Sequence, residues 1–194
     1  MEKEIRPYKQ RGDTCTIACM LMVLEYYHII PKINGIYERK YNRVYHSHYL
    51  TGTPLSAIAW HFSKNDLEVQ LIHSESNYFT NHNNFLSDKL FELTLEEYKE
   101  YVKDANRVGA VISKGVDITI DLLKEKLNDH YFILLAGQVH SCLHTILICE
   151  YENNFFAVCD PLYREIQSKS DKEINEFMHT SIGKWCLLVR EKSH

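Results

Sequence analysis

Three residues of this chain have the types and the placement to make an activated thiolate: Cys15, His144 and Asp160. A cysteine thiol becomes a nucleophile at neutral pH only when something stabilises its anion. The positive end of a helix and a neighbouring imidazolium are the usual means. Cys15 opens the run CTIACMLMVLEYY, in which only Thr16 and Glu25 interrupt apolar side chains. A helix that is apolar on nearly every side belongs inside a domain. Asp13 or Thr14 suits its N-cap, which puts Cys15 in the first turn, where unpaired N–H groups favour a negative charge. Cys19, one turn deeper, reads as core.

The partner for that thiol lies far downstream. Leu143 to Glu150 and Phe155 to Asp160 are short apolar runs rich in strand formers, separated by Tyr151-Glu152-Asn153-Asn154, which is good hairpin chemistry. An antiparallel register about that turn brings positions near His144 opposite positions near Asp160. The aspartate would then fix the imidazole tautomer and favour its charged form. Pro161 ends the second strand, because it cannot donate to a ladder. His140, four residues earlier, competes with His144 for the role, and His130 and His179 lie near element ends. The hairpin register and the downstream Asp-Pro favour His144. His28, His61 and His73 read as structural or surface residues, and Cys142 as a strand-edge thiol.

Composition narrows the class of protein. The 194 residues suit one domain over 1–194, and 45% hydrophobic with 25% charged residues is the balance of an ordinary globular chain. A net charge of -4 without a long basic run argues against nucleic acid as a partner. No apolar stretch reaches the roughly 18–20 residues of a membrane span. The start, MEKEIRPYKQ, has no apolar core of a secretion signal. Six cysteines without a CxxC pair point to reduced thiols in the cytoplasm rather than to a disulfide framework or a zinc site. His46 and His48 lack metal-ligand spacing, so neither a metal nor another cofactor is expected.

The remaining chain supplies scaffolding. Tyr37, Tyr41, Tyr45 and Tyr49 recur every four residues within 36–52, as one packing face or as a groove wall for a peptide. Thr53-Pro54 reads as N-cap and N1 of a helix with Leu55, Ile58, Ala59 and Phe62 inward. LEVQLIH (67–73) alternates as a strand, and 74–88 is polar and turn-rich. The 74–88 and 36–52 segments are the candidates for substrate contact. Leu93 to Asn106 is an amphipathic helix ended by VGAVI, and another runs from about Thr119 to Asn128. YFILLA and KWCLLVR are further strands, and Ser170 to Glu173 is a capping box for a helix through Met178. Helices come mostly first and antiparallel strands last, which is α+β.

These residues carry a resemblance. Gln10-x4-Cys15-x2-Ala18, then Leu143-His144-Thr145-Ile146, then Val158-Cys159-Asp160-Pro161 resembles the C39 group of papain-like cysteine peptidases, which includes leader-cleaving domains of bacteriocin exporters. A helix bearing Phe177 followed by a strand with Trp185 matches that group's tail. The resemblance implies the papain-like fold, with a central cysteine helix packed on a C-terminal antiparallel sheet. It implies Cys15 as nucleophile, His144 as general base and then acid, Asp160 as its orienting group, and Gln10 with the Cys15 N–H as oxyanion hole. Thr16 and Leu143 stand where the group usually has glycine, which narrows the space for its usual double-glycine substrate. The expected partner is a peptide or small protein substrate such as a precursor. Peptide hydrolysis, acyl transfer to an amine on the same fold, and non-catalytic binding of a leader peptide all remain open, as does the oligomeric state.

Overall fold

In the computed structural model, residues 4–49, 52–74, 88–139, 142–179 and 184–192 are described. The first helix, α1 (Cys15–Tyr26), has nine consecutive buried residues from Thr16 to Leu24, as its unbroken apolar run requires. It is followed by α2 (Gly35–Tyr45), α3 (Leu55–Lys64), β1 (Leu67–His73), α4 (Asp88–Arg107) and β2 (Val111–Lys114). Then come α5 (Ile120–Asn128), β3 (Phe132–Val139), β4 (Cys142–Glu152), β5 (Phe155–Cys159), β6 (Ile166–Lys169), α6 (Asp171–Met178) and β7 (Trp185–Glu191). The class is α+β.

The strands form one sheet in the order β2-β1-β7-β3-β4-β5-β6. Alternate residues of its strands face two separate cores. On one side Leu134, Leu147, Cys159, Leu187 and Val189 pack with α1, α3 and α4. On the other, Ile133, Leu135, Ile146, Ile148, Val158 and Leu188 pack with Leu123 of α5 and Ile174 and Met178 of α6. Burial of both faces explains why these strands read as continuous apolar runs rather than as alternating ones.

Local signals set the connections. Asn153 and Asn154 join β4 to β5 with φ of 52° and 65°, the two left-handed residues that a type I′ hairpin turn requires. The capping box on α6 is complete: Ser170 accepts from the Glu173 N–H, and the Glu173 carboxylate accepts from the Ser170 N–H.

Several expectations need correction. The sheet is neither wholly antiparallel nor confined to the C-terminal part. β1 and β2 come from the middle of the chain and pair in parallel at one edge. The helix ends at Arg107, directly before VGAVI as expected, but the last two residues of that stretch also open strand β2, because β1 offers them a ladder (Gln70↔Val111) that local pattern cannot reveal. Strand β6 is mostly polar (IQSK) and lies at the opposite edge, paired among the described strands with β5 alone. The third helix begins one residue later than expected, with Pro54 rather than Thr53 in the N-cap position. The fourth begins at Asp88 rather than Leu93. Apart from Ser74 and Asp88, the 74–88 segment lies outside the described residues, as does His140.

Candidate active site

The site begins at the N-terminus of α1, whose first residue is Cys15. Thr14 occupies the N-cap position, but its side chain does not cap the helix. Its hydroxyl instead donates to Oε1 of Glu38, 2.5 Å away. That carboxylate, on α2 and 2% exposed, also accepts from the Arg11 backbone N–H at 2.8 Å and the Tyr8 hydroxyl at 2.7 Å. Three donors of the 8–14 segment thus converge on one buried acid. Gly35, at the start of α2, leaves room for the Arg11 guanidinium, since a Cβ there would lie 2.7 Å from Nη1. The first-turn N–H groups of α1, left without intrahelical acceptors, remain free to face an anion.

On the sheet side, His144 lies near the start of β4, paired with Gly137 of β3. It is buried, 7% exposed. Its Nε2 lies 2.8 Å from Oδ1 of Asp160, one residue past the end of β5. The same Oδ1 accepts the Leu162 backbone N–H at 2.9 Å, and the Tyr163 N–H bonds to the Asp160 carbonyl. A tight turn therefore holds the carboxylate in place. With Nε2 engaged, Nδ1 is the ring nitrogen left for Cys15.

Gly137 matters for a steric reason. A Cβ on it would come within 2.3 Å of the Phe177 ring and of the Phe177 carbonyl oxygen. Its absence lets α6 close onto the sheet, and the Phe177 ring then stands edge-on to His144, centroids 6.3 Å apart at 85°.

Two contacts tie the halves together. The Thr16 and Thr145 hydroxyls lie 2.8 Å apart in a buried bond between α1 and β4. One turn deeper, Cys19 Sγ donates to the Thr145 carbonyl at 3.5 Å. One threonine directly follows Cys15 and the other directly follows His144, so the pair sets the offset of Cys15 against His144.

Electrostatics follow from this packing. Burial pushes the Cys15 thiol pKa up. The hydrogen bond and charge of His144, with the Thr145 backbone and the Thr16 hydroxyl, outweigh it, and the net shift is downward. Burial works against the charged imidazole of His144. Asp160 and Cys15 more than compensate and raise it to about 9. Burial likewise raises Asp160, and its bonds from His144 and the Leu162 N–H bring it below its ordinary value. The two shifts are opposite in sign, and both favour a thiolate–imidazolium pair backed by a carboxylate.

Gln10 stands beside this group through its backbone. Its N–H donates to the Pro161 carbonyl at 2.9 Å, joining the N-terminal arm to the Asp160 turn. Its side-chain Nε2 donates to the Gly12 carbonyl, which uses one of the two amide hydrogens. Its Oε1 is buried with no partner among the described residues.

The other candidates go elsewhere. Tyr37, Tyr41 and Tyr45 stack in series, and Tyr41 and Tyr45 turn onto His61 of α3, so this face packs the helices together. His61 and His73 bond to Tyr45 and Tyr98 and are held to about 4 by burial. His28 is an exposed turn residue at φ 59°. His48 bonds to Glu97, and no cluster of three or more potential metal ligands occurs among the described residues. All six cysteines are free. No described helix is long and apolar enough to cross a membrane.

Sequence reasoning missed Glu38, Thr145 and Gly137. Glu38 was hidden in a tyrosine-rich, basic stretch and had no pattern to mark it. Gly137 carried a signal, since a lone glycine inside an apolar strand points to close backbone approach.

No family model and no curated protein sequence matches this chain. Among solved structures, the peptidase domain of Streptococcus ComA, a bifunctional ABC transporter involved in a quorum sensing pathway, is similar in fold. The TM-score is 0.51 and the identity 12%, covering 97% of this chain and 100% of that one. At that identity the likeness shows a shared fold, that of a peptidase domain.

Proposed function

We propose that this protein is a papain-like cysteine peptidase that hydrolyses a peptide bond in a peptide or small protein through an acyl-enzyme thioester. The observation that carries the reading is His144 held at 2.8 Å by Asp160 while it pulls the Cys15 thiol pKa down. Binding alone needs no such charge separation at a helix start.

In this reading the Cys15 thiolate attacks the scissile carbonyl carbon, and the oxygen takes up negative charge. The Cys15 N–H and the second amide hydrogen of Gln10 would receive that charge. His144, charged up to about pH 9, gives its Nδ1 proton to the leaving nitrogen as the C–N bond breaks. Water then attacks the thioester, His144 takes its proton, and Cys15 leaves as thiolate. Asp160 keeps the ring oriented and stabilises its charge in both halves. The reading also places the protein in a reducing compartment such as the cytoplasm, since Cys15 must stay a free thiol.

The test is the rate of iodoacetamide alkylation against pH for the wild type, Cys15→Ala and His144→Ala. One fast thiol, lost in Cys15→Ala and slowed at neutral pH in His144→Ala, is the expected result. Cys15 reacting no faster than a free thiol of pKa about 8.5 would overturn the reading in favour of a binding module.

A further inference from the structure

Leu143 is an apolar side chain left 55% exposed immediately before a histidine that is 7% exposed. Its direction follows from strand alternation. Leu147 belongs to the core on the α1 side of the sheet, and Thr145 reaches Thr16 of α1. Leu143 is the next residue of β4 on that same face. Helix α1 runs in the same direction as β4: Tyr26 at its end lines a groove with Cys149 and Glu150, whereas Cys15 at its start interacts with His144 and Thr145. Two residues beyond Thr145, at about 3.3 Å per residue, β4 has passed the end of the helix. Leu143 therefore stands beyond the N-terminus of α1 on the Cys15 side of the sheet, where none of the described helices covers it.

Chemistry says which half of a substrate it meets. The leaving nitrogen must lie against His144 to collect its proton, while the carbonyl oxygen turns toward the Cys15 N–H. Leu143, the chain neighbour of His144 on the Cys15 face, flanks the leaving-group side. Resting on the peptidase reading, we infer that Leu143 is a specificity-determining residue that selects an apolar residue directly after the scissile bond.

By microscopic reversibility an incoming amine occupies the place of the leaving amine, so the preference can be read without knowing the natural substrate. The probe is N-acetylglycine p-nitrophenyl ester with an equimolar mixture of leucinamide and glycinamide. Cys15 Sγ bonds to the acyl carbon and nitrophenolate leaves. The amine then attacks the thioester, the C–N bond forms as the C–S bond breaks, and His144 takes the amine proton. Mass spectrometry gives the ratio of the two dipeptide amides, corrected with Cys15→Ala for the uncatalysed reaction. The expected ratio favours leucinamide by about tenfold, the scale on which one apolar contact discriminates. Leu143→Ser should bring it close to one, and Leu143→Met should retain it. A ratio near one in the wild type, or an unchanged preference in Leu143→Ser, would overturn the inference and leave the peptidase reading standing. Absence of any Cys15-dependent nitrophenolate release would overturn both.

Discussion

The hydroxyls of Thr16 and Thr145 lie 2.8 Å apart, buried, across 129 residues of sequence. Each sits directly after a member of the proposed thiolate–imidazolium pair, so a single hydrogen bond aligns helix α1 with strand β4 where chemistry would occur. Thr145→Val should leave the Thr16 hydroxyl buried without that partner, at a cost of about 1–3 kcal/mol. Thr145→Ser should keep the bond and most of the stability. Urea unfolding gives the cost, and iodoacetamide alkylation at neutral pH gives the effect on Cys15. The valine variant should be slower and the serine variant close to wild type. Equal rates in all three would mean the pair only fills space.

The pH dependence follows from the directions of the shifts. Cys15 is depressed, so its thiolate forms at lower pH than that of an ordinary thiol, and the rise of alkylation with pH should be displaced to lower pH. Alkylation needs only the thiolate, and should therefore show no loss at alkaline pH. Peptide cleavage also needs the His144 proton, which is lost as pH rises through about 9. Cleavage should then trace a bell whose alkaline limb lies near 9, while alkylation shows a single acid limb. In Asp160→Ala the alkaline limb should move down, because the carboxylate that raises His144 is gone.

Glu38 accepts from Tyr8, Arg11 and Thr14 at once. Glu38→Ala strands three donors and should lower stability by about 2–4 kcal/mol, given roughly 1–3 for each buried group and partial rescue by water. Glu38→Gln keeps the oxygen that serves Arg11 and Thr14, and the Tyr8 hydroxyl can turn to accept from its amide. Thermal melting should rank wild type, Gln and Ala in that order. A fully stable alanine variant would show that the 8–14 segment is held by other means.

Gly137→Ala should destabilise by about 1–3 kcal/mol, the usual cost of overpacking, because its Cβ meets a backbone oxygen as well as a ring. Adding Phe177→Ala relieves the ring but not the carbonyl, so the double variant should recover little. Full recovery of the melting temperature in the double variant would count against the backbone clash.

Much of this protein is legible from local pattern. Helix α1 follows from thirteen residues with two interruptions, and the capping box of α6 and the Asn153-Asn154 turn follow from a few residues each. That His144 and Asp160 come to the same end of the sheet follows from the hairpin, although a register shift between Ile148 and Glu150 sets Cys159 opposite Leu147 rather than Ile148. These features depend on chain neighbours, and periodicity and turn chemistry report on neighbours.

What the tertiary structure decided is different in kind. That β2 is a strand depends on β1 lying beside it, about forty residues earlier by their register. The Glu38 carboxylate reaches Thr14 only because α2 folds back against the start of α1. Thr16 meets Thr145, and Gly137 admits Phe177, only once helices close on both faces of the sheet. Cys15 was visible as a cysteine at a helix start. The pairing that shifts its thiol and the imidazole in opposite directions needs both in one low-dielectric site, and only packing over long sequence separations creates that site.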